Sequence, residues 1–242
     1  YRELARALGI ERTVVVQPSP YGSDNRCTLD TVAALGDRAR AVVVVPTSVR
    51  AADIRLLHQR GARGVRFNLV QTGGSSSLDA LETLSDAIAP FGWHVQLYVQ
   101  GSALPELAPR LQRLPTPIVL DHMGQMDPAR GVEQEGFELL LRLLDRGRCW
   151  VKLSGAYRLD PRGAPWSAAE PFAAALANSH PERLLWGTDW PHPDLPMPPD
   201  GAQAEMPDDA RLVERLFDWA GSDPTVHRIV VENPSQVYWA DA

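Results

Sequence analysis

Short runs of β-branched and apolar residues alternate with helical stretches along the whole chain. The runs fall at 13–17, 41–45, 65–69, 94–98, 118–122, 150–154 and 184–189. Each starts almost wholly apolar, as a strand covered on both faces must. Helical periodicity occupies the stretches between them, at 51–60, 77–89, 133–146, 168–178 and 209–220. Strand–helix alternation of this kind predicts a parallel sheet in an α/β protein.

Seven strands are legible, and a helical tail stopped by Gly9 precedes the first of them. A (β/α)8 TIM barrel needs eight strands. The simplest expectation is therefore one such barrel domain over residues 1–242, lacking its first βα unit and so incomplete at its N-terminus. The alternative is an open doubly wound sheet. Against a dinucleotide-binding version of it, no Gly-x-Gly-x-x-Gly turn follows any strand. Proline crowds one segment only, 190–207, which predicts a stiff loop just after the last strand.

Composition narrows the class. With 44% hydrophobic and 22% charged residues, the chain is an ordinary globular protein. A net charge of −6 argues against nucleic acid or an anionic membrane as partner. No apolar run approaches the roughly 20 residues of a membrane span. Cys27 and Cys149 stand in no paired motif, which suits a reduced, cytoplasmic protein and excludes a disulfide scaffold. Nothing in the chain opposes a homo-oligomer.

The chemistry-bearing residues gather at strand ends. Gln17 and Ser19 close the first strand, Arg66 and Asn68 lie in the third, and Gln96 and Tyr98 alternate in the fourth. Asp121 and His122 end the fifth, Lys152 and Ser154 the sixth, and Asp189 the seventh. In a barrel these C-terminal ends share one mouth, which is where barrel enzymes work. His122 and Asp189 together make an acid/base or metal pair; singly, each also reads as a packed histidine or a turn cap. Arg66 and Arg158 read as forks for an anionic substrate or as structural bridges. His192 reads first as a stabiliser of its proline-rich loop. No Gly-x-Ser-x-Gly elbow occurs, and neither cysteine neighbours a base, so a side-chain nucleophile is not expected.

Seven motifs recur in order: Val-Gln-Pro-Ser-Pro-Tyr-Gly-Ser-Asp-Asn (16–25), Gly-Val-Arg-Phe-Asn (64–68), Gln-Leu-Tyr (96–98), Leu-Asp-His-Met-Gly (120–124), Lys-Leu-Ser-Gly-Ala-Tyr-Arg (152–158), Gly-Thr-Asp-Trp-Pro-His (187–192) and Glu-Asn-Pro (232–234). In these the chain resembles the amidohydrolase superfamily, in the branch of lactonases acting on 2-pyrone-4,6-dicarboxylate. The resemblance implies a hydrolase that opens a lactone ring, with Asp189 as general base for water. It implies that His122 polarises the carbonyl or holds a metal, and that Arg66, Tyr98 and Arg158 bind substrate carboxylates. Ser19, Tyr21, Asn68, Gln125 and His192 complete the implied substrate set.

No cofactor is required by this reading. One divalent metal such as zinc is the option, held by His122 and Asp189 with a His-x-His pair that this sequence does not contain. The chain also departs from the family pattern twice. It reads Leu-Val-Gln-Thr-Gly-Gly at 69–74 and has Gln125, where the pattern carries arginines. Two lost charge-assisted forks, each worth about 1.5–3 kcal/mol, favour a less anionic lactone such as a muconolactone or sugar-acid lactone. The rival readings are a metal-dependent decarboxylase or other amidohydrolase on the same barrel, and a non-catalytic carboxylate-binding barrel.

Overall fold

The computed structural model describes residues 1–70, 78–193, 195–198, 200–201 and 203–240. It forms two compact units, one of Arg2–Val99 with Pro109–Val119, the other of Gln100–Ala108 and Leu120–Ala242 with Tyr1.

In the first unit, helix α1 (Arg2–Ala7) leads into β1 (Thr13–Val16), α2 (Arg26–Leu35), β2 (Ala39–Val43), α3 (Ala51–Gln59), β3 (Ala62–Asn68), α4 (Leu81–Ile88) and β4 (His94–Tyr98). The strands pair in parallel, Thr13 opposite Ala39 and Arg66 opposite Gln96. Valines fill β2 because both of its faces are covered: Val42 and Val43 are fully buried, as are Val65, Phe67, Val95 and Leu97 in the next two strands. β1 is half-buried throughout, since it ends the strand order and has only β2 as neighbour. Helix α4 presents Leu81, Leu84 and Ile88 to the core at helical spacing. Buried Trp93 donates its indole N–H to His58 Nδ1 at 2.9 Å, so this histidine has a structural use.

The second unit carries β6 (Cys149–Leu153) and β7 (Leu184–Trp186), again parallel, with Val151 opposite Leu184. Helix α6 (Glu135–Asp145) buries Phe137, Leu140, Leu143 and Leu144. Phe137 meets Phe172 of helix α8 (Glu170–Ser179) edge-on at 5.3 Å, a favoured aromatic geometry. Helix α7 (Ala156–Leu159) follows β6, and α9 (Asp209–Ala220) follows the proline-rich segment. The chain then passes through α10 (Asp223–His227) and a π-helical turn (Arg228–Glu232) into α11 (Asn233–Tyr238). The Glu-Asn-Pro motif has a packing role here. Buried Asn233 donates to the carbonyls of Pro181 (2.8 Å) and Leu184 (2.7 Å), tying the last helix to the start of β7.

Helix α5 (Leu104–Leu111) and strand β5 (Ile118–Leu120) carry the chain between the two sets of residues. The strand order is β1-β2-β3-β4-β5-β6-β7. A doubly wound sheet reverses its strand order at a switch point, so this sequential order is that of the (β/α)8 class, with seven strands among the described residues. No helix among the described residues is long and apolar enough to cross a membrane.

Most predicted strands end one to three residues early, and for two of them the backbone beyond the end shows why. β5 stops at Leu120 and β7 at Trp186, because His122 (φ 51°) and Asp189 (φ 59°) adopt left-handed backbone that no strand accommodates. Helices α2, α5, α7, α10 and α11 lie outside the predicted helical stretches.

Candidate active site

The site is built by two turns and one short helix of the second unit. Past the end of β7, Gly187 and Thr188 lead to Asp189, and the turn closes when His192 N–H donates to the Asp189 carbonyl at 2.8 Å. Past β5, a 3-10 turn of His122–Gly124 closes on the carbonyl of Asp121. His122, Met123, Gln125, Asp189 and His192 all hold φ between 45° and 59°. Left-handed backbone costs a non-glycine residue on the order of 1–2 kcal/mol, and such strain gathers where side chains must be aimed.

Beyond β6, Gly155 (φ 62°) turns the chain into α7. A Cβ at this position would come within 2.7 Å of His122 Nδ1, so only glycine leaves room for the imidazole. Helix α7 then supplies two partners to one oxygen. Tyr157 donates its hydroxyl to Asp189 Oδ2 at 2.5 Å, and Arg158 Nε donates to the same atom at 2.9 Å. Arg158 also donates through Nη2 to the carbonyl of Pro193 at 2.8 Å. The other carboxylate oxygen, Oδ1, makes no hydrogen bond among the described residues and lies 3.9 Å from His122 Nε2. Ser154 Oγ sits 2.9 Å from His122 Nδ1 and fixes the ring.

The electrostatics favour one ionisation pattern. Burial pushes the Asp189 pKa up, but the nearby His122 and Arg158 and the hydrogen bonds from Tyr157 and Arg158 outweigh it, holding the carboxyl below its ordinary value. Burial lowers the pKa of His122 in spite of Asp189 and Asp121, so the imidazole is neutral at pH 7. Burial, followed by the Asp189 charge, raises the Tyr157 phenol, which stays protonated as a donor. The result is an anionic carboxylate with one oxygen occupied and the other open toward a neutral imidazole. Beside it, buried Asp121 pairs with Lys152 Nζ at 3.0 Å.

The sequence-predicted residues divide between the units. Asp189, His122, Arg158, Gln125 and His192 belong to the second. Gln125 donates weakly to the Arg158 carbonyl at 3.4 Å. His192 is buried, with Nε2 3.3 Å from Asp209 Oδ1, so it touches α9 within its own unit. In the first unit Arg66 (Nη1, 3.0 Å) and Asn68 (Nδ2, 2.7 Å) both donate to Ser19 Oγ. Their alternation in β3 puts them on one face, and Tyr98 pairs in register with Asn68. The Arg66 guanidinium stands 6.0 Å from the Tyr98 ring centre. Gln17 fastens the loop carrying Ser19 by donating to the carbonyls of Gly22 and Asp24. Tyr21 in that loop is half exposed. The departure from the family pattern at Gln71 to Gly74 lies outside the described residues.

Sequence reasoning missed Tyr157 and Asp209 as working parts of this arrangement, and placed Ser154 at a strand end without giving it a role. Tyr157 lay inside a recognised motif, one residue before the arginine, and that adjacency was its only signal. Asp209 carried none.

A zinc centre takes three or four protein ligands. His122 and Asp189 make two, and no group of three or more His, Cys, Asp or Glu suited to a metal occurs among the described residues. These residues do not by themselves fit a metal centre, and no chemical step is routed through one.

Comparison with known proteins now decides the family. The family model "Amidohydrolase" matches residues 1–239. The chain belongs to the amidohydrolase family. Among this amidohydrolase's relatives, the 2-pyrone-4,6-dicarboxylate hydrolase of Comamonas testosteroni is 37% identical, over 97% of this chain and 78% of that protein. The 4-sulfomuconolactone hydrolase of Hydrogenophaga intermedia is 36% identical, over 98% of this chain and 78% of that protein. A solved apo structure from Agrobacterium tumefaciens superposes on the amidohydrolase with a TM-score of 0.87 at 32% identity, covering 99% of this chain and 84% of that one.

Proposed function

We propose that this amidohydrolase opens the lactone ring of a carboxylate-bearing substrate with water, and that Asp189 is the general base. The observation that carries the assignment is the asymmetry of the Asp189 carboxylate. Tyr157 and Arg158 hold Oδ2, while Oδ1 makes no hydrogen bond among the described residues and faces His122. Two hydrolases of lactones among the relatives support the reaction class.

In this mechanism a water hydrogen-bonded to Oδ1 attacks the ring carbonyl carbon, and Asp189 takes its proton as the new C–O bond forms. The carbonyl π pair moves onto oxygen. His122 meets that charge with Nε2–H when the Ser154 hydroxyl donates to Nδ1, an uncharged donor placed where charge develops. Collapse of the tetrahedral intermediate breaks the ring C–O bond. The departing oxygen takes the proton back from Asp189, leaving a carboxylic acid, a hydroxyl or enol, and the base restored.

Substrate carboxylates are assigned to Arg66 with Ser19, Tyr21, Asn68 and Tyr98, and to Arg158 with Gln125 and His192, on the motifs in which they stand. Gln125 accepts or donates a single neutral bond where an arginine would form a bidentate charged fork, so the preferred substrate carries less negative charge than a planar dicarboxylate. Parallel assays with 2-pyrone-4,6-dicarboxylate and muconolactone, which carries one carboxylate, test both parts. Hydrolysis with kcat/KM at least tenfold higher for the muconolactone is the expected result. Equal or better turnover of the pyrone removes the specificity argument, and hydrolysis of neither removes the lactonase reading.

A further inference from the structure

The residues that bracket the proline-rich segment make a contact that the reaction scheme does not use. His192 lies before residues 193–208 and Asp209, the first residue of α9, lies after them. The His192 side chain is 2% exposed and that of Asp209 12%, with Nε2 and Oδ1 3.3 Å apart. Both ring nitrogens of His192 and Asp209 Oδ1 are buried without a hydrogen bond among the described residues, so the two groups meet as a close polar contact at 3.3 Å and not as a hydrogen bond. Another edge of the imidazole packs against the Tyr157 ring at 5.4 Å and 89°. The backbone of His192 is left-handed, with φ 57°.

Successive contacts thus run from Asp209 to His192, to the Tyr157 ring, and through the Tyr157 hydroxyl to Asp189 Oδ2. A phenolic O–H lies close to the plane of its ring, so the orientation of the ring sets the direction of the hydrogen bond it gives to the carboxylate. We propose that His192 and Asp209 are positioning residues for Asp189, acting through Tyr157. This rests on the reading of Asp189 as the base. Asp209 packs against the imidazole, the imidazole limits tilting of the Tyr157 ring, and Oδ1 of Asp189 stays turned toward the water and not toward its donors. A 1 Å displacement of a reacting group is enough to cost about a hundredfold in rate, which gives such remote packing its leverage.

A purely structural tie across the loop would show the same contact, so the test must separate the two. The protein is labelled with 3-fluorotyrosine, and the Tyr157 19F resonance is assigned by its disappearance in Tyr157→Phe. Asp209→Asn and His192→Asn are then compared, asparagine being tolerant of left-handed backbone. The expected result is a shifted or split Tyr157 resonance with the other tyrosines unmoved. With it comes a kcat about tenfold lower and, in Asp209→Asn, a KM within twofold, on 4-sulfomuconolactone or 2-pyrone-4,6-dicarboxylate, whichever the protein hydrolyses faster. The Tyr157→Phe/Asp209→Asn double variant is expected to be no slower than Tyr157→Phe alone, the non-additivity of residues acting as one unit. An unmoved Tyr157 resonance overturns the proposal, and so do losses that multiply in the double variant. If Asp189→Asn keeps full activity, the base assignment fails separately, while the 19F spectra still decide whether the pair orients Tyr157.

Discussion

Tyr157 reaches Asp189 across 2.5 Å and shares the acceptor oxygen with Arg158. Two donors on Oδ2 leave Oδ1 as the basic oxygen, so the two neighbours of α7 decide both the charge of the carboxylate and its direction. Removing them should affect rate differently from binding.

Arg158→Met should raise the pKa that governs the acid limb of kcat/KM. The working form is ionised Asp189, whose pKa is held down against burial by His122, Arg158 and the Tyr157 hydrogen bond, so wild-type activity persists below the ordinary carboxylate value of 3.8. Without the guanidinium the limb moves to higher pH, with kcat lower at every pH tested and KM raised. A pH–rate profile identical to wild type would detach Arg158 from the base.

The same depressed pKa has a stability consequence. A carboxylate whose folded pKa lies below its unfolded one stabilises the fold above the unfolded value, and that contribution disappears as pH falls through the folded value. Wild type should therefore lose more stability than Asp189→Asn on acidification below about pH 4. Denaturant midpoints at pH 3 and 7 for both proteins check this; parallel losses would count against an ionised Asp189.

Gly155→Ala should harm fold and site together. The new methyl enters within 2.7 Å of His122 Nδ1 and 3.0 Å of Arg158 Cδ on a backbone that is already left-handed. A cost of about 1–3 kcal/mol is expected in urea unfolding, with kcat down at least tenfold. Wild-type stability would mean that the imidazole can move aside freely.

Asn233→Ala leaves the carbonyls of Pro181 and Leu184 without their donor. About 1–3 kcal/mol of stability should go, while KM at low temperature stays put. An unchanged Tm would make the Glu-Asn-Pro motif a matter of chemistry and not of packing.

Cys27 is exposed, whereas Cys149 is buried and its thiol is pushed by burial up to about 12. A thiol reagent should label one cysteine in the native protein and two after unfolding. Two fast equivalents in the native state would contradict the placement of β6.

Much of this was legible in the chain. Apolar, often β-branched runs marked the strands because a strand buried on both faces has few alternatives to such residues, although β1 is only half-buried. His122 and Asp189 stood out because polar residues directly after apolar runs have few uses. Helices α2 and α7 were harder: α2 is short and mixed in character, and α7 is a single turn whose start depends on the left-handed Gly155. The placement of Arg158 on Asp189, and of His192 on Asp209, depends on chain segments about 30 and 17 residues apart. No periodicity encodes such meetings, so arginine and histidine could be named as site residues without their partners being named.

The most direct test compares Asp189→Asn with wild type in hydrolysis of 4-sulfomuconolactone and 2-pyrone-4,6-dicarboxylate, with ligand binding measured alongside. Asparagine keeps the shape of the side chain and removes its capacity to take a proton. The account predicts that kcat falls by at least about a thousandfold while substrate binding changes by less than a few-fold. A variant that retains kcat within tenfold of wild type would show that another group deprotonates the water.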